Sequence, residues 1–141
     1  MTDIRILSIR APWWFYILHR GKRIENRDWH TDFRGPILIH ASSWFDADEI
    51  MLDSRAARDM QDEAGFVSTT SITLGEIRKL GGHIVGRAEI VDCVDHHPSP
   101  WFMGRYGIVL KDARPLADPI PHKGMLGLQH APQDIIDRIG A

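Results

Sequence analysis

The chain has 141 residues, 43% hydrophobic and 26% charged, with 17 basic against 19 acidic side chains and a formal net charge of −2 at pH 7. That balance excludes a disordered polyelectrolyte and a uniformly basic, histone-like binder, and the length suits one compact domain over residues 1–141. The longest uncharged apolar stretch, Ala11 to Leu18, falls far short of the roughly 20 residues that span a bilayer, so no membrane partner is expected. The opening residues lack the basic-then-apolar order of a secretory signal, and the single cysteine, Cys93, cannot close an internal disulfide; a reducing, cytoplasmic setting is the expectation.

Ile4–Ile9 reads as a first strand. Pro12 suits the first turn of a helix reaching about Arg20, where Gly21 can take the left-handed stop. On that helix Trp14, Ile17 and Leu18 share one face and are expected in the core together with Leu38 and Ile39, whereas Trp13, Tyr16 and Arg20 share another. Lys22 to Gly35 reads as a charged loop, and Ile37 to Ala41 as a strand buried on both faces. Asp46-x-x-Glu49 opens a helix that carries Ile50, Ala57, Met60 and Ala64 on one side. A shorter helix spans about Ile72 to Leu80 and stops at Gly81-Gly82. His83 to Val94 has the length of a long strand with a bend at Gly86, followed by strands at Gly107–Leu110 and near Arg114–Leu116, then a small helix within Ala131–Ile139. Strands that do not alternate regularly with helices point to an α+β fold with a small curled β-barrel or sheet flanked by helices.

No phosphate loop and no Gly-x-Gly-x-x-Gly occurs, so neither a nucleotide triphosphate nor a dinucleotide is an expected ligand. Asp92, Cys93, Asp95, His96 and His97 are the densest group of potential metal ligands, but a structural zinc site takes two separated pairs; no metal and no cofactor is expected.

Charge and aromatic rings are unevenly spread. Up to Phe45 there are seven basic against four acidic residues and eight of the twelve aromatics, while Asp46 to Ala64 holds seven acids against Arg55 and Arg58. Interleaved basic and aromatic side chains are what stacking and charge pairing with nucleic acid require. The acidic helix 46–64 is the contact surface if the partner is a protein. In the turn after the first helix, Lys22, Glu25 and Arg27 bring both signs of charge together; nearby cations favour a neutral amine on Lys22, whereas Glu25 and the helix C-terminus favour its ammonium form. His40 stands within an apolar run, either as a hydrogen-bonded core histidine or as a site residue.

The strings Leu7-Ser8-Ile9-Arg10-x-Pro12-Trp13, then Lys22-x-x-Glu25-x-Arg27 after Gly21, then Phe33-Arg34-Gly35-Pro36-x-Leu38-Ile39-His40-Ala41 resemble the ASCH domain family (activating signal cointegrator homology). Weaker likenesses follow at Ile84-Val85-Gly86 and Gly107–Leu110. The resemblance implies a PUA-like fold with a cleft where the Lys-x-x-Glu-x-Arg segment faces the barrel, and binding of RNA or modified nucleosides. On that reading Lys22, Glu25, Arg27 and Arg10 supply charge, Trp13, Tyr16 and Trp29 are the stacking or wall residues, His40 is a further binding candidate, and Glu25 can accept from an exocyclic amine.

Two hydrolase branches of the resemblance offer an alternative in the same cleft. One removes acetyl from N4-acetylcytidine with a lysine, a threonine three residues later and a distant glutamate; Lys22 matches the lysine, but Glu25 replaces the threonine. The other cleaves RNA without a metal, using a tyrosine six residues before the lysine, a spacing shared by Tyr16 and Lys22, with a distant serine near Ser99. Tyr16, Lys22 and Glu25 are therefore the catalytic candidates.

Overall fold

The computed structural model describes residues 3–65 and 70–140. Its elements are β1 (Arg5–Ile9), α1 (Trp13–His19), β2 (Ile24–Arg27), β3 (Gly35–Ala41), α2 (Ala47–Glu63), α3 (Leu74–Leu80), β4 (His83–Val94), β5 (Tyr106–Pro121), β6 (Leu128–His130) and α4 (Gln133–Ile139). The six strands form one curled mixed sheet, a half-barrel, in the order β2-β5-β4-β3-β1-β6. Every neighbouring pair is antiparallel except β1 with β3. This is an α+β, PUA-like architecture. Among the described residues no helix is long and apolar enough to cross a membrane.

The period of two along each strand divides the core between the faces of the sheet. Leu7, Ile9, Ile37, Ile39 and Ala41 point to one face, where Trp14, Ile17 and Leu18 of α1 cover them. Ile4, Ile6, Leu38, Ile84 and Ile120 point to the other, closed by Ala131 and by Ile135 of α4. Leu38 is thus buried as expected, but not with Trp14: one residue from Ile39, it must face the opposite way. The unbroken apolar run of β3 is explained by this two-sided burial.

Helix boundaries follow their end signals. Gly21 takes φ +70° just past α1, and the Tyr16 carbonyl accepts from both the Arg20 and Lys22 N–H, which fixes where Lys22 enters the fold. Asp46 caps α2 by accepting from the Glu49 N–H at 3.0 Å, and Thr73 with Glu76 forms a reciprocal capping box on α3. Asp46→Ala is expected to lower stability by about 1 kcal/mol in urea denaturation, the usual worth of an N-cap. On α2 the buried residues are Ile50, Ala57 and Gln61; Ala64, expected on the apolar side, is exposed because it lies beyond the last turn that packs.

Two further expectations are corrected. Lys22 to Gly35 is not all loop, since Ile24–Arg27 pairs antiparallel with Tyr106–Val109 as the edge strand β2. The strands expected at Gly107–Leu110 and Arg114–Leu116 are parts of a single strand, β5, whose pairing with β4 absorbs the bends through register shifts, one of them at Gly86.

Candidate functional site

An open cleft of about 800 Å³ lies where the ends of β1, β2 and β3 meet the segments 104–105 and 124–127. Arg10, Trp13, Glu25, Arg27, Trp29 and His40 all line it, so six of the eight candidates border one cavity.

At its centre is a buried charge group built from β2. The Lys22 side chain is only 2% exposed; its ammonium donates to the Ile24 carbonyl, lies 3.4 Å from Glu25 Oε1 and sits 5.5 Å from the centre of the Trp13 ring. Glu25 Oε2 accepts from Arg27 at 3.0–3.1 Å, and Arg27 also donates to the Ser8 carbonyl at 2.6 Å. Each Glu25 oxygen therefore already holds a cation. Glu25 aims Arg27 into the cleft, and Lys22 in turn holds Glu25. Burial pushes the Lys22 amine below its ordinary pKa, Glu25 opposes that shift, and Arg27 adds a smaller lowering effect.

Lys22 itself does not line the main cleft. The cavity it borders is a separate one of about 350 Å³ between the end of α1 and β5. Tyr16 departs further from expectation: it is buried, and its hydroxyl donates to the Ser54 carbonyl of α2, bordering a different cavity. Arg20 turns the same way, donating to Gln61 Oε1 at 2.9 Å and to the Thr70 carbonyl. Both side chains are held by α2, through the Ser54 carbonyl and Gln61, whereas Trp13 lines the main cleft. Burial raises the Tyr16 pKa, which disfavours its phenolate. Tyr16 and Lys22 do not share a cavity, and the Ser99 hydroxyl serves the backbone, accepting from the Trp101 N–H at 3.1 Å.

The remaining walls combine stacking surface and charge. Arg10 lies 3.6 Å above the Trp44 ring and 3.7 Å from Glu49, and Arg27 stands 5.7 Å from the centre of the Trp29 ring. Arg105 joins the rim as an exposed side chain. Asn26 anchors that rim, donating to the Trp101 carbonyl and accepting from the Met103 and Gly104 N–H groups.

The floor is formed by two residues in register across the parallel pair, Ser8 and His40. They continue the rows Ile4-Ile6 and Leu38 beyond the second core. His40 Nε2 lies 2.7 Å from the His122 carbonyl, which can only accept, so Nε2 carries the proton and Nδ1 is free to accept from the Ser8 hydroxyl at 2.9 Å. A bulge at Ile39/His40 in the pairing with β4 aims the ring. Burial keeps His40 below its ordinary pKa and hence neutral at pH 7. Ser8, Asn26, Arg105 and the segment Gly124–Gly127 are site residues that sequence reasoning missed. The one signal for Ser8 was its polar side chain at the end of an apolar row.

The family model of the ASCH domain matches residues 7–106, which takes in β1 from Leu7 onward, β2 to β4 and every side chain of the buried charge group. The chain belongs to the ASCH domain family. No curated protein matches it significantly. In this ASCH domain the Lys-x-x-Glu-x-Arg segment is half turn and half edge strand, and its three charged groups form a continuous relay from the sealed Lys22 to the cleft-facing Arg27. Among the described residues no three His, Cys, Asp or Glu side chains come together as a metal site, and Asp92, Cys93, Asp95, His96 and His97 stay apart in that sense.

Proposed function

We propose that this ASCH domain binds RNA or a modified nucleoside in the cleft between β1, β2 and β3. The observation that carries the reading is the convergence of three arginines, Arg10, Arg27 and Arg105, with Trp13 and Trp29 on one open cavity. Guanidinium groups pair with phosphate, indole faces stack on bases, and a polar floor can hydrogen-bond a base edge. The general association of PUA-like ASCH domains with RNA supports the same ligand class. Within this reading Arg27 touches the ligand, while Glu25 and Lys22 position it. The buried, lone Cys93 fits a reducing compartment, and the cytoplasm is where we place this activity.

The reading is tested by titrating a short single-stranded RNA, and separately modified nucleosides, against the folded protein at increasing salt. Affinity is expected to fall as salt rises, because bound phosphates release counterions. Arg105→Ala, which removes an exposed rim cation without touching the buried group, is expected to weaken RNA binding and reduce the salt slope by about 1. Lys22→Ala and Arg27→Ala are expected to weaken binding as well, the first through misplacement of Glu25. Absence of binding to both ligand types at low salt, with circular dichroism showing folded protein, would reject the reading and favour protein contact through α2, whose Met51 and Leu52 are exposed.

A further inference from the structure

The floor of the cleft holds more chemistry than binding requires. Ser8 and His40 form a hydroxyl–imidazole pair whose tautomer is set by the His122 carbonyl, at distances of 2.9 Å and 2.7 Å. The Ser8 hydroxyl is oriented from a second side, since its oxygen accepts from the Met125 N–H at 3.2 Å. One donation and one acceptance leave an Oγ lone pair for attack. Ser8 is half-buried and, with His40, borders the cavity, so a substrate and then a water reach the hydroxyl position beside Nδ1, although the ring as a whole is 1% exposed. Arg27, bonded to the carbonyl of Ser8 itself, brings positive charge to the same residue.

We propose that Ser8 is a nucleophile activated by His40 and that the cleft hydrolyses carboxylic esters small enough to reach its floor. The Ser8 oxygen forms a bond to the ester carbonyl carbon as its proton passes to His40 Nδ1 and the carbonyl π pair moves to oxygen, where Arg27 opposes the negative charge. Collapse breaks the bond to the leaving alkoxide, which takes the proton from Nδ1 and departs as the alcohol. Water then adds to the acyl group on Ser8, giving its proton to Nδ1. The second collapse releases the acid and returns a proton to the Ser8 oxygen. Throughout, Nε2–H stays on the His122 carbonyl, whose dipole favours the transient imidazolium. A neutral carbonyl in place of a carboxylate behind the ring supports that cation less strongly, which points to esters with good leaving groups over amides. The activity does not require RNA binding.

The test is reaction of the folded 141-residue chain with a fluorophosphonate, followed by intact mass and peptide mapping. Attack by Ser8 on phosphorus expels fluoride, with the hydroxyl proton again passing to His40, and leaves a stable phosphonyl adduct. The expected result is one adduct per chain, located on Ser8, absent in Ser8→Ala and formed at least about tenfold more slowly in His40→Asn, with a matching acyl burst from p-nitrophenyl acetate. His40→Asn could unfold the sheet, so wild-type protein is also treated in urea: an adduct selective for Ser8 in the folded chain and lost on unfolding supports activation by the fold. No adduct on Ser8 under folding conditions, or labelling equally fast in urea, would overturn the proposal and leave the pair as a tie holding segment 122–127 to the sheet. Because no RNA is present in any arm, this outcome is independent of the binding titration.

Discussion

Glu25→Ala is expected to be the most damaging substitution in the cleft, lowering the free energy of unfolding by about 3–5 kcal/mol, the range seen when one partner is removed from a buried ion pair. Two cations lean on this carboxylate, and one of them, Lys22, is only 2% exposed. Removing Glu25 leaves Lys22 with the Ile24 carbonyl as its remaining hydrogen-bond partner and with Arg27 repelling it. If this is the cause, Lys22→Met in the same chain should recover a coupling energy of about 1–3 kcal/mol, since the stranded charge has been removed as well.

The effect should also depend on pH. Burial holds the folded-state Lys22 pKa below the ordinary 10.5, so between those two values the unfolded chain binds more protons and stability rises with pH. Glu25 raises the Lys22 pKa, so its loss widens that window downward. The Glu25→Ala deficit is therefore expected to be largest near neutrality and to shrink as pH approaches 10, which urea midpoints at pH 7 and 9.5 would show. A deficit below about 1 kcal/mol, or one that ignores pH, would mean that the charges are solvated in solution.

The second large effect is expected at Gly86. A Cβ there would lie 2.4 Å and 2.7 Å from the Leu18 methyl carbons and 2.9 Å from the Arg114 carbonyl oxygen. Leu18 can rotate, but the carbonyl belongs to β5, which pairs with β4 at this point. Gly86→Ala should therefore cost about 1–3 kcal/mol by overpacking, and adding Leu18→Ala should not restore the wild-type value. Full recovery in the double variant would show that the strand pairing gives way and that the close approach of α1 to the sheet is the sole constraint.

Local patterns in the sequence carried much of this architecture. Trp14, Ile17 and Leu18 announced the buried face of α1, the Asp46 cap marked the start of α2, and the charged string placed Lys22, Glu25 and Arg27 side by side. What stayed hidden depends on contacts distant in sequence. Ile24–Arg27 has a single apolar side chain, and only its pairing with β5 makes it a strand. Helical spacing puts Tyr16 on the side of Trp13, but it carries no information that α2, some 38 residues on, accepts a hydrogen bond from its hydroxyl. Ser8 and His40 meet because β1 and β3 are parallel and in a particular register, which no local window encodes. The period of two could still have flagged them, as the polar members of otherwise apolar rows.

The roof of the cleft has a consequence for how this chain can be cut or recombined. The family match ends at residue 106, the first residue of β5, yet the cavity borrows Gly124–Gly127 from far downstream, and the second face of the sheet depends on Ile120, Ala131 and Ile135 for its cover. A fragment trimmed to the matched span would keep the recognisable signature while losing Ile4, Ile6 and the partner of β2 and baring Leu38 and Ile84 to water. Such a fragment would be sticky, not merely weaker, and a graft of this fold onto another protein must carry the chain through α4 to bring a working pocket with it.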